Sequence, residues 1–437
     1  MLDVAQDAVS LARRHGAREA AAAAYRVRTV EVQWRDGQLE KLSEATTRGL
    51  GLELYVEGRY SSVSTSDLRP DAVARFVEDA VALTRTLAAD PHRALPDPDL
   101  YQGQAELALD LEDPEYGALD ALRRRRIAEE LEAAAREVPG AEAILSVTTG
   151  YGDTLAEGFR VHSNGFAGSR RITDFGVSAQ VSVRDPGGRR PEDWDAASAR
   201  HLAALPEPAA VGRRATERAL ARIGARKGES GRLGMAVENR CAGRLLAYLL
   251  GPMSAAALQQ KRSFLEGRRD QEVASPRLDL RDDPLVPRGL GSRLFDSEGM
   301  AARRFPLFEG GVLRNYYVDC YYGRKLGMRP TTRSISNLDW RLGAQGREAL
   351  LADMGEGVLV TGFLGGNSNG TTGDFSLGVQ GVRVRGGRLA EAVGEMNVSG
   401  NHLELWRRLA AVGDDPYPYS ASRTPTLVFE GAQFAGT

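Results

Sequence analysis

One predicted helix carries residues that could begin a metal site. It lies within residues 231–251, where Glu238 and Cys241 are three positions apart and therefore on one helical face. A carboxylate and a thiolate so placed could coordinate zinc if further ligands joined them. A lone cysteine on an apolar helix is far more often a packing residue, so the sequence favours a core role for Cys241.

A glycine-rich segment, GGNSNGTTG at residues 365–373, could present a nucleophile. Ser368 lies in a Gly-x-Ser-x-Gly pattern, and Asp374 and His402 follow in the chain order that α/β-hydrolases use for their catalytic triad. In those enzymes the serine lies on a sharp turn that begins a helix, whereas the residues after Ser368 do not predict one. A flexible glycine loop is the favoured interpretation.

Two carboxylates close together, Asp296 and Glu298, could serve in general acid–base chemistry if they were buried or paired. A polar turn before a predicted strand at residues 303–308 is the simpler interpretation. The five histidines are scattered along the chain, so a histidine-based zinc site would need residues from distant segments.

Composition argues against several classes of partner. The chain has 437 residues with 57 Lys and Arg against 59 Asp and Glu, so its net charge of −2 gives no electrostatic reason to expect nucleic acid. It has no apolar run long enough to span a membrane and no signal-peptide pattern at the N-terminus. Two cysteines do not form a disulfide framework, so a cytoplasmic location is expected.

The pattern of apolar residues predicts an α+β fold that positions these groups. An N-terminal α/β region should hold small antiparallel sheets flanked by helices, and a C-terminal β-rich region, barrel-like or sandwich-like, should contain the central helix. The middle segment should include a long helical stretch at about 191–222. The predicted boundaries are 1–90 for the N-terminal domain, 91–115 for a linker, 116–225 for a middle α/β segment packing with the N-terminal domain, and 226–437 for the C-terminal domain.

Motifs in the C-terminal region resemble the TldD/PmbA family, whose members are sometimes labelled modulators of DNA gyrase. The similarity covers nearly the whole chain, and the N-terminal match is the weaker one. The motifs that carry it are Gly289-Leu290-Gly291-Ser292, Phe295-Asp296-Ser297-Glu298-Gly299, Glu309-Gly310-Gly311-Val312-Leu313, Thr372-Gly373-Asp374-Phe375-Ser376 and Val398-Ser399-Gly400-Asn401.

The resemblance implies a zinc metallopeptidase family that acts on small or unfolded peptides. Its TldD-type members carry His-Glu-x-x-x-His on the central helix, and a later cysteine completes the zinc site. In this chain Glu238 and Gly243 stand at the two histidine positions, and Asn239 stands at the position of the general base. A glycine offers no side-chain ligand and an asparagine cannot take a proton from zinc-bound water.

The resemblance therefore implies a PmbA/TldE-type chain with no catalytic residues and no cofactor of its own. We expect zinc in a TldD-type partner, a cavity enclosed by dimerisation and a peptide as substrate. Alternatives are a stand-alone homodimer that binds a peptide or ligand, and an independent hydrolase using Ser368 or a metal at Glu238 and Cys241. The candidate peptide-binding residues are Gly366, Asn367, Ser368, Thr372, Gly373, Asp374, Phe375 and Ser376.

Overall fold

A computed structural model describes residues 1–437 and contains nine α-helices and sixteen β-strands. The helices are α1 (Leu2–Arg14), α2 (Pro70–Thr84), α3 (Ala121–Arg136), α4 (Pro208–Leu220), α5 (Asn239–Leu250), α6 (Ala255–Gln259), α7 (Cys320–Leu326), α8 (Arg347–Met354) and α9 (His402–Arg407). The strands are β1 (Glu19–Arg35), β2 (Gln38–Val56), β3 (Arg59–Thr65), β4 (Ile144–His162), β5 (Ala167–Val183), β6 (Glu192–Ala199), β7 (Gly231–Val237), β8 (Leu280–Asp283), β9 (Phe305–Glu309), β10 (Val312–Leu313), β11 (Asn337–Trp340), β12 (Gly357–Ser368), β13 (Asp374–Arg385), β14 (Arg388–Asn401), β15 (Leu409–Val412) and β16 (Leu427–Ala435).

The first six strands form one antiparallel sheet in the order β3-β2-β1-β4-β5-β6. Alternate residues of β1 point to the same face, so Ala20, Ala22 and Ala24 pack under α1 and α2 while Val32 packs under α3 and α4. The four helices thus cover one face of the sheet. Strands from the middle segment extend the sheet begun by the N-terminal strands.

The C-terminal region is built on a five-stranded barrel. Strands β14, β13, β12, β7 and β16 are neighbours in that order, and pairing between β14 and β16 closes the ring. Only the β7–β12 pair is parallel. The apolar face of α5 shares a core of 41 buried residues with the barrel strands. A four-stranded sheet, β10-β9-β8-β11, lies beside it. The predicted α+β class, with a barrel-like C-terminal region and a central helix, is confirmed.

Two local predictions are wrong. The stretch predicted as a helix at about 191–222 begins with strand β6, and the helix starts only at Pro208. Inward positions of β6 include Asp193 and Asp195, whose side chains are buried in ion pairs. Their acidic character concealed the period-two pattern, because buried positions of a strand are normally apolar.

The glycine-rich segment is not a free loop. Strand β12 continues through Ser368 and β13 begins at Asp374, so only residues 369–373 form a turn. Two glycines in this stretch, Gly365 and Gly366, have φ angles of +124° and +115°, which bend the strand without ending its pairing with β13. No helix in the chain combines the length and apolarity needed to cross a membrane.

Candidate functional site

The first turn of α5 lies where the barrel meets the middle segment. Strand β7 ends at Val237, Glu238 caps the helix, and the apolar side chains of α5 turn into the barrel core. The opposite side of the first turn therefore faces α4 and β6. The residues buried on the apolar face are Ala242, Leu245, Leu246, Leu249 and Leu250.

Glu238 is held by two arginines. Arg218 donates from Nη1 to Oε1 at 3.0 Å and from Nη2 to Oε2 at 2.7 Å, and Arg347 Nη1 lies 3.3 Å from Oε1. Burial alone would lower the pKa of Arg218, but hydrogen bonding to Glu238 raises it above its usual value. Glu238 is only 6% exposed. Its two carboxylate oxygens both accept charge-assisted hydrogen bonds from guanidinium groups.

The other positions of the degenerate motif also lack free ligand atoms. Asn239 Nδ2 donates to the backbone carbonyl of Asp415 at 2.8 Å. Cys241 Sγ lies 3.4 Å from the carbonyl oxygens of Glu238 and Val360, either of which can accept its single S–H, and burial raises the pKa of the thiol to about 12. Gly243 has no side chain. No group of three or more His, Cys, Asp or Glu side chains in the chain is arranged to hold a metal ion. These residues do not fit a zinc centre, because zinc needs free imidazole, thiolate or carboxylate donors.

Arg240 within the motif, and Arg218, Asp193 and Asp195 outside it, complete an ionic network that the sequence did not reveal. Arg240 contacts Asp193 Oδ1 at 3.3 Å and Asp195 Oδ1 at 3.4 Å, and its guanidinium lies over the Trp194 ring at 4.3 Å from the centroid. Arg218 reaches Asp193 at 3.5 Å as well. Asp193 and Asp195 are two positions apart, as expected for one face of a strand. This spacing is the sequence signal for β6 and for the arginines that its aspartates contact.

Ser368 and His402 are brought together by the β12–β13 hairpin and α9. Ser368 Oγ and His402 Nε2 are 2.9 Å apart and hydrogen bonded. His402 is fully buried among Phe264, Phe375 and Tyr248, and burial lowers its pKa to about 4.

The third member of a catalytic triad is missing. Asp374 accepts hydrogen bonds from Thr372 and Asn401, and His402 Nδ1 has no hydrogen-bond partner. A triad needs an acid on that nitrogen to stabilise the imidazolium that forms during the reaction. Half-buried Ser368 and buried His402 therefore form a hydrogen-bonded pair with a weakly basic imidazole and no acid partner.

The candidate peptide-binding residues lie on both strands and the turn of the hairpin. Strand β12 pairs with β7 only over residues 357–360, but pairs with β13 as far as Ser368. One edge of residues 361–368 therefore has no strand partner. Leu364 and Asn367 are exposed on this segment, whereas Phe375 is buried against His402. We call residues 361–368 the open edge of β12.

The acidic pair in the C-terminal region lies in a buried turn. Asp296 accepts backbone hydrogen bonds from Glu298 at 2.9 Å and Met300 at 3.1 Å, and a third from Thr332 Oγ1 at 3.0 Å. Glu298 Oε2 accepts from the Cys320 N–H at 3.0 Å. Burial raises the pKa of Glu298 to about 7. The turn is polar, as predicted, and its carboxylates, buried in Asp296 and half-buried in Glu298, are both hydrogen bonded to the protein.

Three family models match this chain in succession. They describe PmbA/TldA metallopeptidase domain 1 at residues 20–84, the central domain at residues 114–223 and the C-terminal domain at residues 230–436. Among curated proteins, metalloprotease PmbA of Escherichia coli O157:H7 is 28% identical over 414 residues, which covers 93% of this chain and 90% of the relative. A PmbA homologue of Haemophilus influenzae is 28% identical over 98% of this chain and 94% of its own length.

Solved structures agree with these matches. A Bacteroides thetaiotaomicron protein named as a modulator of DNA gyrase superposes with a TM-score of 0.96 at 37% identity, over 100% of this chain and 98% of its own. TldE from Thermococcus kodakarensis has the same fold, with a TM-score of 0.88 at 19% identity over 99% of this chain and 100% of its own. The chain therefore belongs to the PmbA/TldD family of metallopeptidase-like proteins.

Proposed function

We propose that this chain is a non-catalytic, PmbA/TldE-type subunit of a zinc peptidase complex. The observation that carries the proposal is the two-point ion pair between Arg218 and Glu238. It fixes a guanidinium at the position where the resemblance places the first zinc ligand. Because guanidinium groups already engage both carboxylate oxygens of Glu238, that side chain is not available to a zinc ion.

The chain's contribution in this proposal is to hold an extended peptide. The carbonyls of Thr361 and Phe363 already accept from Arg218 and Arg244, so residues 364–368 of the open edge of β12 are the ones that offer backbone groups to an added strand. Addition of a strand to a sheet edge is a common way to bind peptides with little dependence on their sequence. Such binding suits small or unfolded peptides, which have free backbone groups. The TldE structural relative and the PmbA relatives support a place in a protease-type assembly.

The test is a cleavage assay with a TldD-type subunit, with and without this chain. Zinc-dependent cleavage of a casein-derived peptide should require both chains, and pull-down should recover them together. If cleavage by the TldD-type subunit is the same when this chain is omitted, the proposal is wrong. Recovery of this chain only as a homodimer would favour the stand-alone binding protein.

Two exposed leucines allow the open edge to be tested separately. Leu364 is 55% exposed on β12, and Leu389 is 51% exposed on β14 at the remote β13–β14 hairpin. Leu364→Glu should lower kcat/KM of the complex severalfold, whereas Leu389→Glu should leave it unchanged. Pull-down of both variants shows whether any loss comes from failed assembly.

A further inference from the structure

A cavity of about 360 Å³ opens beside α5, on the side of the helix that faces β6. Its wall includes residues of the open edge of β12, so the cavity and that edge are continuous. The side chains that matter for its chemistry are Trp194, Arg222, Arg240, Arg244, Leu364 and Gln380.

Two arginines of this cavity have no carboxylate partner. Arg222 donates to the backbone carbonyl of Glu192, and Arg244 Nη1 donates to the carbonyl of Phe363 at 2.9 Å. Burial lowers the pKa of Arg222, which shows that its charge has lost part of its hydration. Asp193 and Glu192 lie near enough to Arg222 to offset part of this effect, but neither forms an ion pair with it. A partly desolvated guanidinium without an ion-pair contact favours an anion in the space beside it.

The acidic groups of the wall are already engaged. Asp193 contacts Arg218, Arg240 and Gln380, and Glu192 at the rim accepts from Gln180 Nε2 at 3.2 Å. Three guanidinium groups therefore face two carboxylates around the cavity, Glu192 and Asp193. The lining therefore carries one net positive charge: Arg240 balances Asp193, and Arg222 and Arg244 together exceed Glu192 by one.

Two further polar atoms of the wall have unused hydrogen-bonding capacity. Arg240 Nε and Gln380 Oε1 are shielded from solvent without a hydrogen-bond partner. The Arg240 side chain is 8% exposed and Gln380 is 7% exposed. Such groups are uncommon, because a buried polar atom without a partner costs about 1–3 kcal/mol. Both atoms are out of reach of a ligand in the cavity, so the charged contacts of the site are those of Arg222 and Arg244.

We propose that this cavity binds a carboxylate of an extended peptide, with Arg222 and Arg244 as its charged contacts. Trp194 and Leu364, which are 50% and 55% exposed, flank the site and offer apolar surface to the neighbouring side chain. The inference rests on the proposed function, since the open edge of β12 would hold the rest of the peptide. The carboxylate is either the C-terminal one or that of an acidic side chain.

Trp194 makes the test possible in the isolated chain. The other tryptophans, Trp34, Trp340 and Trp406, are at most 9% exposed, so a change in emission on titration reports mainly on Trp194. The probes are an N-acetylated alanine–phenylalanine peptide with a free C-terminus, the same peptide as its amide, and an amidated peptide with glutamate at the last position. Comparison of the first peptide with the third shows whether the cavity binds a C-terminal carboxylate or that of an acidic side chain.

The free acid or the glutamate peptide should bind about tenfold more tightly than the plain amide, the effect of one charge-assisted contact. This preference should be lost in the double variant Arg222→Gln/Arg244→Gln and reduced in the single variant Arg244→Gln. Arg244 is exposed, so its substitution carries little risk of misfolding. Arg388→Gln, at an exposed arginine of the β13–β14 hairpin outside the cavity, should keep the preference.

Equal binding of all three peptides, or a preference that survives the double substitution, overturns the carboxylate site. The outcome is independent of the cleavage assay. If the complex needs this chain but the carboxylate preference is absent, the proposed function stands and the inference fails. If the preference is present but cleavage does not need this chain, the cavity remains a binding site and the proposed function fails.

Discussion

Arg218 on α4 clamps both carboxylate oxygens of Glu238 at the start of α5, at 3.0 and 2.7 Å. The contact joins the middle segment to the C-terminal barrel at the position where the family resemblance places a zinc ligand. The side chain of Glu238 is 8% exposed and that of Arg218 is 18% exposed, so the pair is largely removed from water. The two side chains depend on each other, because removal of either leaves the other largely buried with a more distant partner, Arg347 for Glu238 and Asp193 for Arg218.

Removal of Arg218 should destabilise the fold strongly. We expect Arg218→Ala to lower the free energy of unfolding by roughly 3 kcal/mol, since it leaves Glu238 with Arg347 alone. Urea denaturation followed by circular dichroism measures the change. The control is Arg385→Ala, which breaks an ion pair with Glu391 whose side chains are 53% and 51% exposed. That exposed pair should contribute less than about 1 kcal/mol, and equal losses for both variants would contradict a buried clamp.

Glu298 should make stability fall as the pH rises. Burial raises its pKa from 4.5 to about 7, so between these values the folded chain keeps a proton that the unfolded chain releases. The stabilising effect of that proton is complete below about pH 4.5 and disappears through about pH 7, a loss of up to roughly 3 kcal/mol. Glu298→Gln removes the titrating group. The free energy of unfolding of this variant relative to the unsubstituted protein should rise from pH 4 to pH 8, as measured by urea denaturation. If the two proteins show the same dependence of stability on pH, the raised pKa of Glu298 is refuted.

Ser368 should not behave as a catalytic nucleophile. Its partner His402 has a pKa lowered to about 4 and lacks an acid at Nδ1, so the imidazole is a poor base. We expect no labelling of the chain by a fluorophosphonate probe under conditions that label a serine hydrolase completely. Ser368→Ala should leave kcat of the complex unchanged and cost about 1 kcal/mol of stability for the lost hydrogen bond. Stoichiometric labelling at Ser368 would restore the hydrolase alternative.

Gly366 should be the more sensitive of two adjacent glycines in the hairpin. Both Gly365 and Gly366 have positive φ angles, so alanine is strained at either position. A Cβ on Gly366 would lie 2.2 Å from the Ser376 carbonyl oxygen, whereas one on Gly365 meets nothing within 4 Å. Gly366→Ala should therefore destabilise the fold by roughly 2 kcal/mol more than Gly365→Ala. Thermal melts of the two variants measure this, and similar Tm values would show that the backbone can relax.

Much of the fold could be predicted from local sequence patterns. The apolar face of α5, with Ala242, Leu245, Leu246 and Leu249, repeats with helical period, and burial of that face confirms the central helix. Period-two alternation and glycine turns predicted the β-rich C-terminal region. These signals are strong because each depends only on neighbours within one element.

The candidate site could be predicted less fully from the sequence. The chemistry of the residues already excluded Asn239 as a general base and Gly243 as a zinc ligand, but the sequence left Glu238 and Ser368 open. Whether Glu238 was free for a metal depended on Arg218 and Arg347, which lie 20 and 109 positions away along the chain. Whether Ser368 had a complete triad depended on where Asp374 points. Side-chain type and order along the chain therefore limit the chemistry available at these positions. Which partner each charge meets, and how much water it keeps, depends on long-range packing, because ion pairing and desolvation act through space.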